Sequence, residues 1–189
     1  LDLLSTIQCV SLLADDHMQA IEAVQKASES IAKFIDVVVP KIRDGGRLIY
    51  FGCGTSGRLG VLDASECPPT FQTSSRTIIG LIAGGDASLR TSSEAKEDNP
   101  NGIEEEFDRI ELSTNDVVLG IAAGGTTPWV IGGIELAKQR GVTTGFLTCC
   151  TAPSSAEYVL LLETGAEPLT GSTRLKAGTA TKLTLNIIT

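Results

Sequence analysis

Apolar positions across residues 2 to 44, among them Ile21, Val24, Ile31, Ile35 and Val38, recur at spacings near three and four, and Gly45-Gly46 ends the run. That period predicts two or more helices leading into the chain. The pattern then changes to short apolar, β-prone runs: "RLIYF" (47–51), "TIIGLIA" (77–83), "DVVLGIAA" (116–123), "GVTTGFLTC" (141–149) and "YVLLL" (158–162). Helical segments separate them at about 58–66, 86–97, 101–110 and 127–140. Strand alternating with helix is the signature of a parallel sheet covered on both faces. The predicted fold class is therefore α/β, a doubly wound parallel sheet of about five strands behind an N-terminal helical lead-in. Residues 1–44 are expected to pack as helices on a domain formed by 45–189. The last stretch, "GSTRLKAGTATKLTLNIIT", begins a helix and reaches Thr189 without a Gly or Pro stop, so a further C-terminal region is expected beyond it; Leu at position 1 points to missing sequence at the other end.

In doubly wound sheets ligands collect at the carboxyl ends of the strands. Here "GCGTSG" (52–57), "GGD" (84–86) and "AAGGTTP" (122–128) fall at those ends. A strand, a glycine loop and a helix together make an anion site, because the loop frees N–H groups and the helix N-terminus adds about half a unit of positive charge. Gly52, Gly54 and Gly57 also fit the G-x-G-x-x-G spacing of dinucleotide folds. Those folds need an acid at the end of the second strand, however, and here that strand ends near Ala83 with Asp86 behind Gly84-Gly85. The register is poor. No Gly-Lys-Ser/Thr follows the loop, which sets Walker A aside. Thr55 and Ser56 instead offer side-chain donors that suit a terminal phosphate monoester such as a sugar phosphate.

Composition narrows the class of partner. The chain has 189 residues, 42% hydrophobic and 20% charged, as one main globular domain would. A net charge of −8 argues against a general nucleic-acid binder, so an anionic ligand must be caught locally. No apolar run approaches the roughly 18 to 20 residues of a membrane span, and no signal-peptide pattern opens the chain. Five cysteines (Cys9, Cys53, Cys67, Cys149, Cys150) with no C-x-x-C pair argue against a disulfide framework or zinc knuckle and for a reducing, cytoplasmic compartment. The single histidine, His17, beside Asp15 and Asp16, reads as a solvated position, which removes histidine-based metal chemistry.

The block "GCGTSGRLGVLDASECPPTF" (52–71) closely resembles the signature of the N-acetylmuramic acid 6-phosphate etherases, members of the sugar isomerase (SIS) superfamily that also holds the glucokinase regulatory proteins. Further stretches match in order: "LDLLST" (1–6), "GLIAGGD" (80–86), "EAKED" (94–98) and "LTGSTRLKAGTATKL" (169–183). Two features depart from the family. Its second loop commonly reads A-A-S-G-R-T-P, where this chain has Gly124 and Thr126 in place of serine and arginine, and "CCTAPSSAEYV" is a few residues short. The resemblance implies a SIS-like fold and a lyase that cleaves the lactyl ether of N-acetylmuramic acid 6-phosphate, in amino-sugar catabolism and cell-wall recycling, with no metal or other cofactor. The second reading is a non-catalytic sugar-phosphate-sensing regulator similar to the glucokinase regulatory proteins. The retained Glu66-Cys67-Pro68-Pro69 favours the enzyme, and the altered loop pulls the other way.

The implied chemistry needs a base for the proton at carbon 2 and an acid for the departing ether oxygen at carbon 3. Glu66 stands beside Cys67, Pro68, Pro69 and Phe71, an apolar setting that favours the neutral form of a general acid. By resemblance Glu97 is the base, with Glu94 touching the sugar hydroxyls from the same face of a helix. Gly54, Thr55 and Ser56 in the first loop, Thr126 and Thr127 in the second, and Ser172 and Thr173 near the end are the expected substrate contacts. Arg174 and Lys176 read either as surface charges or as groups that screen the ligand, and Trp129 as core packing. If residues 57–66 are helical, a rise of about 1.5 Å per residue puts Glu66 roughly 13 to 15 Å from its own Thr55-Ser56 loop. Either Glu66 serves a neighbouring subunit in a homodimer with shared sites, or that helix ends early.

Overall fold

The computed structural model describes residues 1–91 and 96–189. All five apolar runs form strands: β1 (Leu48–Gly52), β2 (Ile78–Ile82), β3 (Val117–Ile121), β4 (Thr143–Thr148) and β5 (Tyr158–Leu161). They lie in one sheet, in the order β2-β1-β3-β4-β5, and every neighbouring pair is parallel. Side chains alternate along each strand and so feed two separate cores. Leu48 and Tyr50 of β1, Leu119 and Ile121 of β3, and Leu147 of β4 pack in one cluster. Ile49, Phe51, Val118 and Phe146 enter the other.

The lead-in is three helices, α1 (Thr6–Asp16), α2 (Met18–Lys26) and α3 (Ser28–Arg43). Ser5 and Gln8 close α1 with a reciprocal capping box. Helices α2 and α3 supply Ala20, Ala23, Ile31 and Phe34 to the first core, while α1 buries none of its residues. His17 is half-buried at the joint between α1 and α2, with Nδ1 2.6 Å from the Leu13 carbonyl, and so is not the solvated position expected.

Helix α4 (Gly54–Phe71) joins β1 to β2 over the first core, beside α8 (Lys176–Ile188). Helices α5 (Ala87–Arg90) and α6 (Glu104–Arg109) lie between β2 and β3, and α7 (Pro128–Gln139) joins β3 to β4; α6 and α7 cover the second core. Two helices differ from expectation. Helix α4 runs well beyond 58–66, since its first turn incorporates the glycine loop and Pro68 and Pro69 fall in its last turns before Gln72 turns left-handed at φ 56°. Of the expected helix 86–97, the described residues hold the single turn α5, which ends at the extended Thr91, and Glu97 lies in a turn; residues 92–95 fall outside the described residues. Among the described residues no helix is long and apolar enough to cross a membrane.

At the foot of the sheet a buried ion pair locks β1 to β3. Asp116, 1% exposed, accepts from Arg47 N (3.0 Å), Nε (2.9 Å) and Nη2 (2.6 Å) and from Ser113 N (2.9 Å). Burial alone would raise the Asp116 pKa, but the hydrogen bonds from Arg47 and Ser113 and the guanidinium charge outweigh it and hold the carboxyl below the ordinary aspartate value. Asp116→Ala strands the guanidinium and is expected to cost about 3–5 kcal/mol in urea unfolding at pH 7. A depressed folded pKa stabilises above the unfolded value, so this difference should shrink as pH falls below about 4. An unchanged difference at pH 3 refutes the assignment.

Candidate functional site

In this strand order β1 sends its helix to one face of the sheet and its neighbour β3 sends its helix to the other, which opens a crevice between their carboxyl ends. Gly52 of β1 pairs with Ile121 of β3, so the loops that follow begin side by side. The first is Cys53-Gly54-Thr55-Ser56. Cys53 is the extended N-cap of α4 and its side chain makes no capping bond. Its carbonyl accepts the Gly57 N–H, while the N–H groups of Gly54, Thr55 and Ser56 stand at the open helix start. Gly54 takes φ +50°. The Thr55 and Ser56 hydroxyls bond to no described residue and are half-exposed.

The second loop runs from Ala122 to Thr127. Gly125, at φ +73°, makes the turn with its N–H on the Ala122 carbonyl, and Pro128 opens α7. Thr126 is exposed and Thr127 half-buried. A Cβ on Gly124 would meet nothing within 4 Å. Sterics therefore do not explain why glycine stands there.

Glu97 comes to the crevice from the β2 side. Its carbonyl accepts the Trp129 N–H at 3.0 Å, which ties it to the start of α7, and its side chain is half-buried. Its charge reaches the first loop: burial, and after it the Glu97 carboxylate, pushes the Cys53 thiol up to about 12. Cys149, just after β4, is pushed up to about 11, first by burial. Both thiols are neutral at pH 7, so neither is an activated nucleophile.

The start of α8 lies next to the first loop. A Cβ on Gly178 would lie 3.4 Å from the Thr173 carbonyl oxygen and 3.6 Å from Thr55 Cγ2, which brings the Ser172-Thr173 turn against the first loop. Lys176 corrects both expectations made for it. It is 1% exposed, and its ammonium bonds Asp16 Oδ1 and Gln19 Oε1, each at 2.8 Å, so it ties α8 to the lead-in helices. Arg174 is exposed, and Trp129 is core, 2% exposed.

The start of α4 with Gly54, Thr55 and Ser56 thus lies beside the loop that carries Thr126 and Thr127, with Glu97 within electrostatic reach of Cys53 and the Ser172-Thr173 turn next to Gly178; Glu94 lies outside the described residues. Glu66 is elsewhere. Helix α4 is continuous from Gly54 to Phe71, which separates Glu66 from Thr55 by about 16 Å along the axis. The alternative of an early helix end is overturned. Consecutive helical residues diverge, so that Cys67 is buried whereas Glu66 and Phe71 are exposed. Glu66 opens on a pocket of about 280 Å³ lined by Leu59, Leu62, Lys182 and Asn186. Sequence reasoning missed Glu167, which caps α8 from the loop before it. Among the described residues no group of three or more His, Cys, Asp or Glu side chains converges as a metal site would.

Residues 30–138 match the model of the glucokinase regulatory protein N-terminal SIS domain. The chain is 49% identical over 191 aligned positions to the N-acetylmuramic acid 6-phosphate etherase of Christiangramia forsetii, covering all of this chain and 70% of that one. It is 48% identical to the enzyme of the same name from Francisella philomiragia, covering all of this chain and 65% of that one. The chain thus spans about two thirds of the length of these curated relatives. Among solved structures, a phosphoheptose isomerase from Francisella tularensis superimposes with a TM-score of 0.67 at 17% identity, covering 98% of each chain. The Vibrio vulnificus NanR protein complexed with ManNAc-6P gives 0.59 at 16% identity, over 96% of this chain and 63% of that one. At these identities the solved structures speak for the fold alone.

The two loops differ in what a methyl group would meet. A Cβ on Gly57 would stand 2.5 Å from the Gly52 carbonyl oxygen and 2.7 Å from Ile82 Cγ1. Gly57→Ala is expected to cost about 1–3 kcal/mol or more in urea unfolding, and Gly124→Ala to stay within about 0.5 kcal/mol of the parent. Equal effects would contradict the described packing of α4.

Proposed function

This chain belongs to the N-acetylmuramic acid 6-phosphate etherase family, and we propose that it cleaves the lactyl ether of N-acetylmuramic acid 6-phosphate to N-acetylglucosamine 6-phosphate and D-lactate. The observation that carries this reading is the meeting of the hydroxyl-bearing start of α4 with the Glu97 carboxylate in the crevice at the switch point of the sheet. The phosphate sits on the N–H groups of Gly54, Thr55 and Ser56 and on the two hydroxyls, where the helix dipole favours an anion. Thr126, Thr127, Ser172 and Thr173 bound the sugar, and Glu94 has the role of a further hydroxyl contact.

With the sugar opened to its aldehyde, the proton at carbon 2 is acidified by the neighbouring carbonyl, and Glu97 removes it. The electron pair forms the carbon 2–carbon 3 double bond as the carbon 3–oxygen bond breaks, and Glu66 gives its proton to the departing lactate oxygen. Glu66, now a carboxylate, takes a proton from water as its hydroxide adds to carbon 3, and Glu97 returns its proton to carbon 2, which restores both carboxyl groups. No redox change occurs. A helix of this length carries Glu66 farther from its own loop than one hexose phosphate reaches, so a two-fold dimer places Glu66 at the partner's crevice. All five cysteines are free, which supports a reducing cytoplasmic location. The sensing alternative is not favoured, since the relatives matched over the whole chain carry the etherase name.

Lactate release from N-acetylmuramic acid 6-phosphate tests the reading directly, and its absence with the intact protein would overturn it. Glu97→Gln and Glu66→Gln are each expected to lower kcat by roughly 10² to 10⁴ while sugar-phosphate binding persists. Mixing and re-equilibrating the two inactive variants should restore about a quarter of wild-type activity, because half the dimers are mixed and each mixed dimer holds one intact site. No recovery would rule out shared sites.

A further inference from the structure

An α-helix leaves its first N–H groups without partners, and a Ser, Thr, Asp or Asn side chain at the N-cap ordinarily takes one of them. At α8 the N-cap position falls on Leu175, which has no acceptor in its side chain. Ser172 and Thr173, the nearest hydroxyls before the helix, come three and two residues too early, drawn into tight turns: Ser172 N bonds the Leu169 carbonyl, Thr173 N that of Gly171, and Leu175 N that of Ser172. The cap is supplied from a distance. Glu167, nine residues before Lys176, accepts the Lys176 N–H on Oε2 at 3.3 Å and the Ala177 N–H on Oε1 at 3.0 Å. A carboxylate at this end also complements the helix dipole.

The consequence is a division of labour. With Glu167 on the backbone donors, the hydroxyls of Ser172 and Thr173 bond to no described residue. The Lys176 side chain leaves in the other direction, to Asp16 and Gln19, so the first residue of α8 is held both through its backbone and through its ammonium. The turn between Glu167 and Lys176 is therefore pinned where it meets Thr55 across Gly178. We propose that Glu167 is a positioning residue of the sugar-phosphate site: it caps α8 from upstream, fixes the 169–175 turn against the first loop, and leaves the Ser172 and Thr173 hydroxyls for the substrate. This rests on the reading of the crevice given above. Glu167 touches neither substrate nor reacting atoms; it acts through the turn.

The test separates positioning from bulk stability, and it measures binding apart from turnover. Glu167→Ala is expected to raise KM for N-acetylmuramic acid 6-phosphate and the calorimetric Kd for N-acetylglucosamine 6-phosphate roughly tenfold, with kcat changed less than about threefold. Adding Leu175→Asp to that variant supplies a local cap and should recover the lost Tm without recovering the Kd. If the local cap restores both, or if Glu167→Ala binds as the parent does, Glu167 is only a helix cap and the proposal falls. Should Glu167→Ala fail to fold, Glu167→Asp keeps the charge and shortens the reach by one methylene; it is expected to weaken binding severalfold, and parental affinity would overturn the proposal. A protein that binds N-acetylglucosamine 6-phosphate but releases no lactate refutes the etherase reading and leaves the Glu167 binding arm in force. One that binds no sugar phosphate removes both.

Discussion

The arrangement depends on how closely α4 lies on the sheet. Between helix and strands the contacts are backbone on backbone: a Cβ on Gly57 would sit 2.5 Å from the Gly52 carbonyl oxygen, and one on Gly80 2.5 Å from Val61 Cα. With no side chain interposed, α4 starts directly at the end of β1, and its free N–H groups open beside the loop that leaves β3. The same rigid contact sets the direction of the whole helix. Thr55 and Ser56 at one end and Glu66 further along are consequently held at a separation that no side-chain motion closes.

The electrostatics follow from an acidic chain that must hold an anion. Two cations are already engaged, Lys176 with Asp16 and Gln19, and Arg58 with the carbonyls of Leu89 and Thr91, while Arg174 beside Thr173 and Lys96 beside Glu97 are exposed. On the proposed reading, recognition of a phosphate falls on the oriented N–H dipoles and hydroxyls at the start of α4, which carry no counter-charge of their own to be satisfied elsewhere. The thiols of Cys53 and Cys149 are buried and neutral and do not compete as nucleophiles. The backbone of Glu97 is fixed to Trp129, so the proposed base and the proposed anion site share one frame.

The strands, their parallel arrangement and the first loop were legible because each rests on a short-range pattern. Uninterrupted β-prone runs such as "RLIYF" and "DVVLGIAA" mark strands buried on both faces, and Thr55-Ser56 after a glycine turn mark a donor-rich helix start. The extent of α4 was not legible, since Gly54 and Gly57 at one end and Pro68-Pro69 at the other are local helix breakers, of which Gly57 is required by the close approach to β1 and β2. Lys176 looked like a surface charge for the same reason. Its partners, Asp16 and Gln19, lie about 160 residues away.

Sequence by itself determined the class of fold, the two loops that flank the crevice and the family to which the chain belongs, because periodicity, turn chemistry and a twenty-residue signature are all written locally. Only the tertiary structure decided what lies near what: that the Glu97 charge reaches Cys53, that Glu66 stands far along α4 from its own loop, and that Glu167 caps α8 in place of the nearer hydroxyls. Those outcomes depend on helix length, helix phase and contacts between distant segments, which no local pattern encodes.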